Sequence, residues 1–197
     1  MRQIVKVSRS TSCVILAGGK CRRLGQAKYF IKIGSVSIIE RILAVVKEIF
    51  KEIIIVTNDK GLFPHYGEIK VVEDLEKDCG PLAGIFTGLS VIRNTQAFFV
   101  AGDMPFVNSK SIKELVNIAE RQEYDCVIPR MDTGFEVLHA VYAKSLLPLI
   151  KEHLQQKRLA IHNLLCYCNC WYLDINEQSK VYFTNINTAE DLARIQD

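Results

Sequence analysis

Two kinds of apolar pattern alternate along the chain. Short runs with little polar interruption, CVILA at 13–17, IIIVT at 53–57, IKVVE at 69–73, AFFVA at 97–101 and CVIPR at 126–130, are mostly β-branched or aromatic and lack clean alternation. Strands covered on both faces of a parallel sheet have this composition, because neither face meets water. Between them, SIIERILAVVKEIF at 37–50, PLAGIFTGLSVI at 81–92 and SKSIKELVNIAERQ at 109–122 repeat their apolar residues every three to four positions, the spacing of a helix with one buried face. Strand and helix in turn predict a three-layer, Rossmann-like, doubly wound and mostly parallel α/β sheet with right-handed βαβ connections.

After residue 130 the rhythm changes. FEVLHAVYA at 135–143 alternates in part like a strand, LLPLIKEHLQQ at 146–156 and AIHNLLC at 160–166 read as helices, and CWYLDI at 170–175 and a closing helix NTAEDLARIQ at 187–196 follow. No Pro/Gly/Ser-rich linker or internal repeat separates this part from the first. A single domain over 1–197 is expected, the later segment elaborating the same sheet.

Composition narrows the class. At 197 residues with 49% hydrophobic content the chain can build a sizeable core, and 25 basic against 22 acidic side chains leave a net charge of only +3. Neither a general nucleic-acid footprint nor a membrane-surface footprint follows from that balance. No apolar run approaches the roughly 20 residues of a membrane span, and MRQIVKVSRSTS lacks the apolar core of a secretory signal, so a cytoplasmic protein is expected. Seven cysteines, at 13, 21, 79, 126, 166, 168 and 170, form an odd set in a chain too large to depend on disulfides, so reduced thiols are expected. The run Cys166-x-Cys168-x-Cys170 lacks the usual C-x-x-C spacing of zinc sites and reads as one face of a strand.

The candidate chemistry begins where CVILA runs into Gly18-Gly19-Lys20-Cys21-Arg22-Arg23-Leu24-Gly25-Gln26-Ala27-Lys28. In an open α/β sheet ligands bind beyond the carboxyl ends of the strands, so this loop lies where a ligand docks. Gly18 and Gly19 allow backbone N–H groups to approach an anion, and Lys20, Arg22, Arg23 and Lys28 add positive charge. A polyphosphate suits such a loop; a solvated charged turn is the plainer reading. The Walker and Rossmann fingerprints both fail on glycine spacing. Further on, FFVAGD places Asp103 at the end of an apolar strand, and Pro105 biases Met104 away from helix. A carboxylate at that loop edge suits Mg²⁺, which takes one or two carboxylates together with phosphate oxygens and waters; an Asx turn or helix cap is the alternative.

The run LAGGKCRRLGQAK at 16–28 resembles the L-A-G-G-x-x-x-R-[ML]-G-x-x-K signature of the molybdenum cofactor guanylyltransferases, within the nucleotidyltransferases of nucleotide-diphospho-sugar transferase type. Gly80-Pro81-Leu82-Ala83-Gly84-Ile85, Gly102-Asp103-Met104-Pro105-Phe106, Leu138-His139-Ala140-Val141-Tyr142 and Asn185-Ile186-Asn187-Thr188-Ala189-Glu190-Asp191-Leu192 match further family motifs in order. The resemblance spans 13–192. It departs at Ala27, where Asp often precedes the loop lysine, and at Ala189, where Pro is usual.

The resemblance implies transfer of GMP from GTP to molybdopterin, with release of pyrophosphate and Mg²⁺ as cofactor. About 1–130 is then the nucleotide-binding part and about 131–197 the acceptor side. Arg23, Lys28 and Asp103 are implied as catalytic residues, with Asp103 the metal ligand. Leu16 and the Ala17-Gly18-Gly19 backbone border the base, with Asn58 and Asp74 as candidate polar contacts and Gly80 at a helix start that a ligand can approach. A carboxylate can accept from the N1 and N2 hydrogens of guanine, although Asn58 also belongs to an ordinary turn signal. On the acceptor side stand His139, Arg158 beside Lys157, Asn185 and Asn187; for His139 a core or rim role is the plainer reading, and for Lys157 and Arg158 a charged helix end. Implied partners are GTP, molybdopterin, and other cofactor-biosynthesis proteins, molybdoenzymes or their chaperones, with no nucleic acid and no membrane. The alternatives are a nucleotidyltransferase with another base or acceptor, such as a molybdopterin cytidylyltransferase or a sugar-phosphate enzyme, and a non-catalytic nucleotide-binding partner.

Overall fold

The apolar runs become the strands of one sheet, packed on both faces. A computed structural model describes residues 10–18, 27–77, 79–186 and 191. In chain order these form β1 (Thr11–Ala17), the hairpin strands β2 (Lys32–Ile33) and β3 (Val36–Ser37), α1 (Ile38–Val46), β4 (Ile53–Thr57), β5 (Lys70–Glu73), α2 (Gly80–Val91), β6 (Gln96–Ala101), α3 (Ser109–Arg121) and β7 (Cys126–Met131). Then follow β8 (Gly134–Phe135), β9 (His139–Ala143), α4 (Leu147–Gln155), α5 (Ile161–Leu165) and β10 (Cys170–Asp174).

Strand order in the main sheet is β10-β7-β9-β6-β1-β4-β5, with β8 pairing β7. The section β6-β1-β4-β5 is wholly parallel. On the other side β9 runs antiparallel to both β6 and β7, and β10 is parallel to β7. The strands after residue 130 thus join the same sheet, but with mixed direction.

Alternate residues of each strand enter opposite cores. Cys13, Ile15 and Phe98 pack with Ile38, Ile42 and Leu43 of α1 and Ile112 and Leu115 of α3. Val14, Ile54 and Phe99 pack with Leu82, Ile85 and Leu89 of α2, Ile150 of α4 and Leu164 of α5. Helices cover both faces, which is why the strand runs are apolar at nearly every position. Ser37 opens α1 with a capping box, accepting from the Glu40 N–H while Glu40 accepts from the Ser37 N–H at 2.8 Å; such a cap stabilises a helix by about 1 kcal/mol.

One expectation about the second part is corrected. Only Cys170 of the C-x-C-x-C run belongs to a strand, since Cys166 caps α5 and Cys168 lies in the turn between. The Cys168 thiol donates to the Leu164 carbonyl at 3.2 Å, so the spacing serves a helix end feeding an edge strand. Cys13, Cys79, Cys126, Cys166, Cys168 and Cys170 are free thiols. Of the closing helix expected at 187–196, all but Asp191 lies outside the described residues.

Candidate active site

Four adjacent parallel strands end side by side, and each hands a residue to one cavity of about 500 Å³. Gly102 and Asp103 follow β6, Gly18 follows β1, Asn58 follows β4 and Asp74 follows β5; all five line the cavity. The register that aligns them pairs Leu16 with Ala101, Ala17 with Thr57, and Thr57 with Glu73. With neighbouring strands about 4.8 Å apart, three spacings set Asp74 about 14 Å from Asp103 along the sheet edge.

Small residues let the strand ends and α2 close on this space. Gly102 donates its N–H to the Leu16 carbonyl at 2.9 Å, and a Cβ there would lie 3.2 Å from that same backbone oxygen. A Cβ on Gly84 would stand 2.9 Å from Leu16 Cδ2, so its absence lets the Leu16 side chain lie against α2 and form the apolar wall. Gly80 and Pro81, at the start of α2, complete that side.

At the β5 end, the Asp74 N–H donates to the Thr57 carbonyl at 2.8 Å, continuing the ladder one residue past the strand. Its Oδ1 accepts from the Thr87 hydroxyl at 2.6 Å and from the Glu76 N–H at 3.3 Å. Asn58 Oδ1 sits 3.8 Å from the position a Cβ on Gly18 would take, so its amide adjoins the first glycine of the loop.

At the β6 end, burial pushes the Asp103 carboxyl above its ordinary range, while the Lys28 charge and a backbone hydrogen bond pull the other way. A carboxyl held in this balance is relieved by a cation beside it. Lys28 itself opens a short 3-10 turn closed by Phe30 N–H to the Ala27 carbonyl and Ile31 N–H to the Lys28 carbonyl, both 3.0 Å. The next residue, Tyr29, is buried and stacks on Phe63 with centroids 5.0 Å apart. Lys28 is therefore held at the cavity by the anchored aromatic that follows it, with Ala27 packed against the core.

The chain returns to this point near its end. Ile186, fully buried, donates its N–H to the Asp103 backbone carbonyl at 2.9 Å, so the half-buried Asn185 lies one residue from the backbone that carries Asp103, without lining the cavity. Asn187 lies outside the described residues, as do Gly19, Lys20, Arg22 and Arg23 of the loop.

Three sequence candidates sit elsewhere. The ring of His139 is fully buried, edge-on to Phe98 at 4.9 Å and to Phe183 at 4.7 Å. Neither ring nitrogen has a hydrogen-bond partner among the described residues, and burial pulls its pKa down to about 3. It is a neutral core residue, which corrects the acceptor-side expectation: the alternation of β9 turns His139 inward with Val141, whereas the preceding Leu138 lines the cavity. Ala17 likewise packs into the core beneath the site and does not line it. Arg158 is exposed just beyond α4, where its N–H closes the helix end on the His153 carbonyl at 2.9 Å, and it does not line the cavity.

Sequence reasoning passed over Tyr29, Val56 and Leu138 as wall residues, because apolar side chains carry no chemical signature in a core-rich sequence. It also passed over Glu136. Burial pushes that carboxyl's pKa up, a hydrogen bond from the Leu138 N–H offsets this in part, and the charge of Asp103 adds to the rise.

The geometry matches known proteins over nearly the whole chain. Residues 13–165 match the MobA-like NTP transferase domain. A protein of Natranaerobius thermophilus named "probable molybdenum cofactor guanylyltransferase" is 34% identical over 191 residues, covering 93% of each chain. One of the same name from Bacillus cytotoxicus is 30% identical over 193 residues, covering 95% of this chain and 96% of its own. Among solved structures, the molybdopterin-guanine dinucleotide biosynthesis protein A of Archaeoglobus fulgidus superposes with a TM-score of 0.82 at 27% identity, over 94% of this chain and 97% of that one. The 4-diphosphocytidyl-2C-methyl-D-erythritol synthase of Anaerococcus prevotii, at 18% identity and a TM-score of 0.70, shares the fold over 94% of each chain. The chain belongs to the MobA-like NTP transferase family, a family of nucleotidyltransferases.

Proposed function

We propose that this enzyme transfers GMP from GTP to molybdopterin, the acceptor its similarly named relatives point to. The observation that carries the reading is the placement of Asp74 and Asp103 on one cavity, three strands apart. Asp74 serves the base, the Leu16 wall and the Gly18 backbone flank it, and Asp103 and Lys28 serve the phosphates. Asn185, tethered beside Asp103 through Ile186, belongs to the acceptor end.

The donor set at Asp103 fits Mg²⁺. It is a hard oxygen ligand, half-buried, and its buried carboxyl is relieved by a cation. Among the described residues no three His, Cys, Asp or Glu side chains converge to cage a metal, and Mg²⁺ in phosphoryl-transfer sites typically takes only one or two carboxylates, the rest of its shell coming from phosphate and water. Bound at Asp103, Mg²⁺ would neutralise charge on the α-phosphate region as it builds.

A phosphate oxygen of molybdopterin attacks the α-phosphorus of GTP. The new P–O bond forms as the bond from the α-phosphorus to the bridging oxygen breaks, and pyrophosphate leaves. A phosphate monoester with a second pKa near about 6 is already largely ionised at neutral pH, so no general base is required. The chain's task is alignment and charge neutralisation, with Lys28 contributing a cation to bound and reacting phosphates alike. The free thiols suit a reducing compartment such as the cytoplasm.

The test incubates purified protein with each of the four nucleoside triphosphates, Mg²⁺ and molybdopterin, and follows pyrophosphate together with the dinucleotide. Formation of the guanine dinucleotide in preference to the other three is expected. Equal turnover of all four, or a dinucleotide made only from CTP, overturns the assignment.

A further inference from the structure

The carboxylate assigned to the base does not present both of its oxygens. Asp74 Oδ1 is turned toward the protein by the Thr87 hydroxyl at 2.6 Å, with the Glu76 N–H at 3.3 Å as a second donor. Thr87 is itself fully buried in α2 and does not line the cavity. Its hydroxyl also accepts from the Leu75 N–H at 3.0 Å. A threonine hydroxyl has one hydrogen to give, and here it goes to Asp74 while a lone pair fixes the backbone of the following residue. One side chain of α2 thereby locks both the rotamer of Asp74 and the start of the loop that carries it.

We infer that Thr87 is a positioning residue for base selection, holding Asp74 so that Oδ2 alone faces the nucleobase. The inference rests on Asp74 being the base contact. A single fixed oxygen accepts from the ring N–H and exocyclic amino group of guanine. The corresponding ring nitrogen of adenine is an acceptor, and against it the same oxygen sets lone pair on lone pair. Discrimination of this kind depends on the carboxylate being unable to swing away, because a mobile one escapes the repulsion and also loses its alignment to guanine. A hydrogen bond to an ionised carboxylate is among the stronger ones, which suits it to the task.

The experiment compares kcat and KM for GTP and ATP, with Mg²⁺ and molybdopterin, in the full chain and in Thr87→Val, Thr87→Ala, Thr87→Ser and Asp74→Asn. Both Val and Ala remove the hydroxyl, one keeping the shape and the other keeping a good helix former, so failure of one to fold leaves the other to decide. In the hydroxyl-free variants the GTP-over-ATP ratio of kcat/KM is expected to fall at least tenfold, through a higher KM for GTP with kcat changed less than threefold. Thr87→Ser is expected to restore the ratio to within twofold of the parent. Thr87 acting only as core filler would lower the active fraction and depress both substrates alike, leaving the ratio intact. If the hydroxyl-free variants keep the parent ratio while Asp74→Asn loses it, the role of Thr87 is overturned and the base contact stands. If Asp74→Asn also keeps the ratio, the base contact itself fails and Thr87 falls with it.

Discussion

The parallel section β6-β1-β4-β5 and the mixed section β9-β7-β10 belong to one sheet but handle polar residues in opposite ways. In the parallel section all four carboxyl ends fall on the same edge, so residues one or two positions past the strands, Asp103, Gly18, Asn58 and Asp74, meet at one cavity. In the mixed section β9 runs the other way, and it is the residue before the strand, Leu138, that reaches the cavity, while His139 turns into the core. Strand direction decides which residues a sheet can offer to a ligand. His139 within its strand is buried by the alternation that makes the strand, whereas a polar residue placed just beyond a parallel strand end is offered to the site.

The hardest way to break this contrast is Asp103→Ala. A loop-edge carboxylate contributes little packing, so the melting temperature is expected to stay close to that of the parent, whereas turnover with GTP and Mg²⁺ falls at least about a hundredfold. Near-native turnover with unchanged Mg²⁺ dependence would remove Asp103 from the mechanism and leave the parallel section without its chemical end.

The core assignment of His139 has a pH signature. Its folded pKa is about 3, below the ordinary 6.5, so between those values the unfolded chain takes up a proton that the folded chain refuses. Stability is therefore unaffected by this residue above pH 6.5 and is lost as pH falls below it, down toward pH 3. Between pH 7.5 and pH 5 the loss amounts to about 2 kcal/mol. Urea unfolding at the two pH values is expected to show that extra loss in the parent and not in His139→Leu. Equal pH dependence in both would mean that the ring is solvated or paired, and the contrast between strand and strand-end residues would weaken.

A smaller effect tests the wall of the site. In Gly84→Ala the new methyl group meets Leu16 Cδ2 at 2.9 Å. Leu16 can rotate away, and alanine favours the helix interior by about 1 kcal/mol, so stability is expected to hold. The displaced Leu16 narrows the base side of the cavity, so KM for GTP is expected to rise about fivefold with kcat unchanged. An unaltered KM would show that Leu16 does not border the nucleotide.

Much of this layout could be read from the sequence, for a physical reason. The runs at 53–57 and 97–101 announce strands because both faces are covered, and residues 58 and 103 are then strand-end positions by counting alone. Direction is what the pattern withheld. HAVYA at 139–143 alternates alike whether it runs parallel or antiparallel, and nothing local says which of its faces meets Phe98. The lock on Asp74 was hidden for a similar reason, since Thr87 lies thirteen residues away on a helix whose apolar neighbours give no hint of a buried hydroxyl with a task. Cys166-x-Cys168-x-Cys170 misled because a spacing of two suits a strand, and the helix end at Leu165 intervenes.

The smallest expected effect belongs to Arg158, and it bears most directly on where the mixed section stops contributing. The resemblance sets this residue on the acceptor side, yet its side chain stands in solvent past the end of α4 and outside the cavity wall. Its backbone N–H, which any residue but proline supplies, does the structural work by closing the helix on His153. Alanine keeps that bond and removes only an exposed charge, whose interactions water and salt largely screen. Arg158→Ala is therefore expected to change KM for molybdopterin by less than about twofold at physiological ionic strength, with KM for GTP untouched. A tenfold rise in the molybdopterin KM alone, diminishing as salt is raised, would show that the acceptor reaches beyond the cavity to the far end of α4. The division between a parallel section whose strand ends bring polar groups to the cavity and a mixed section that adds only Leu138 to its wall would then give way to a site with polar contacts from both.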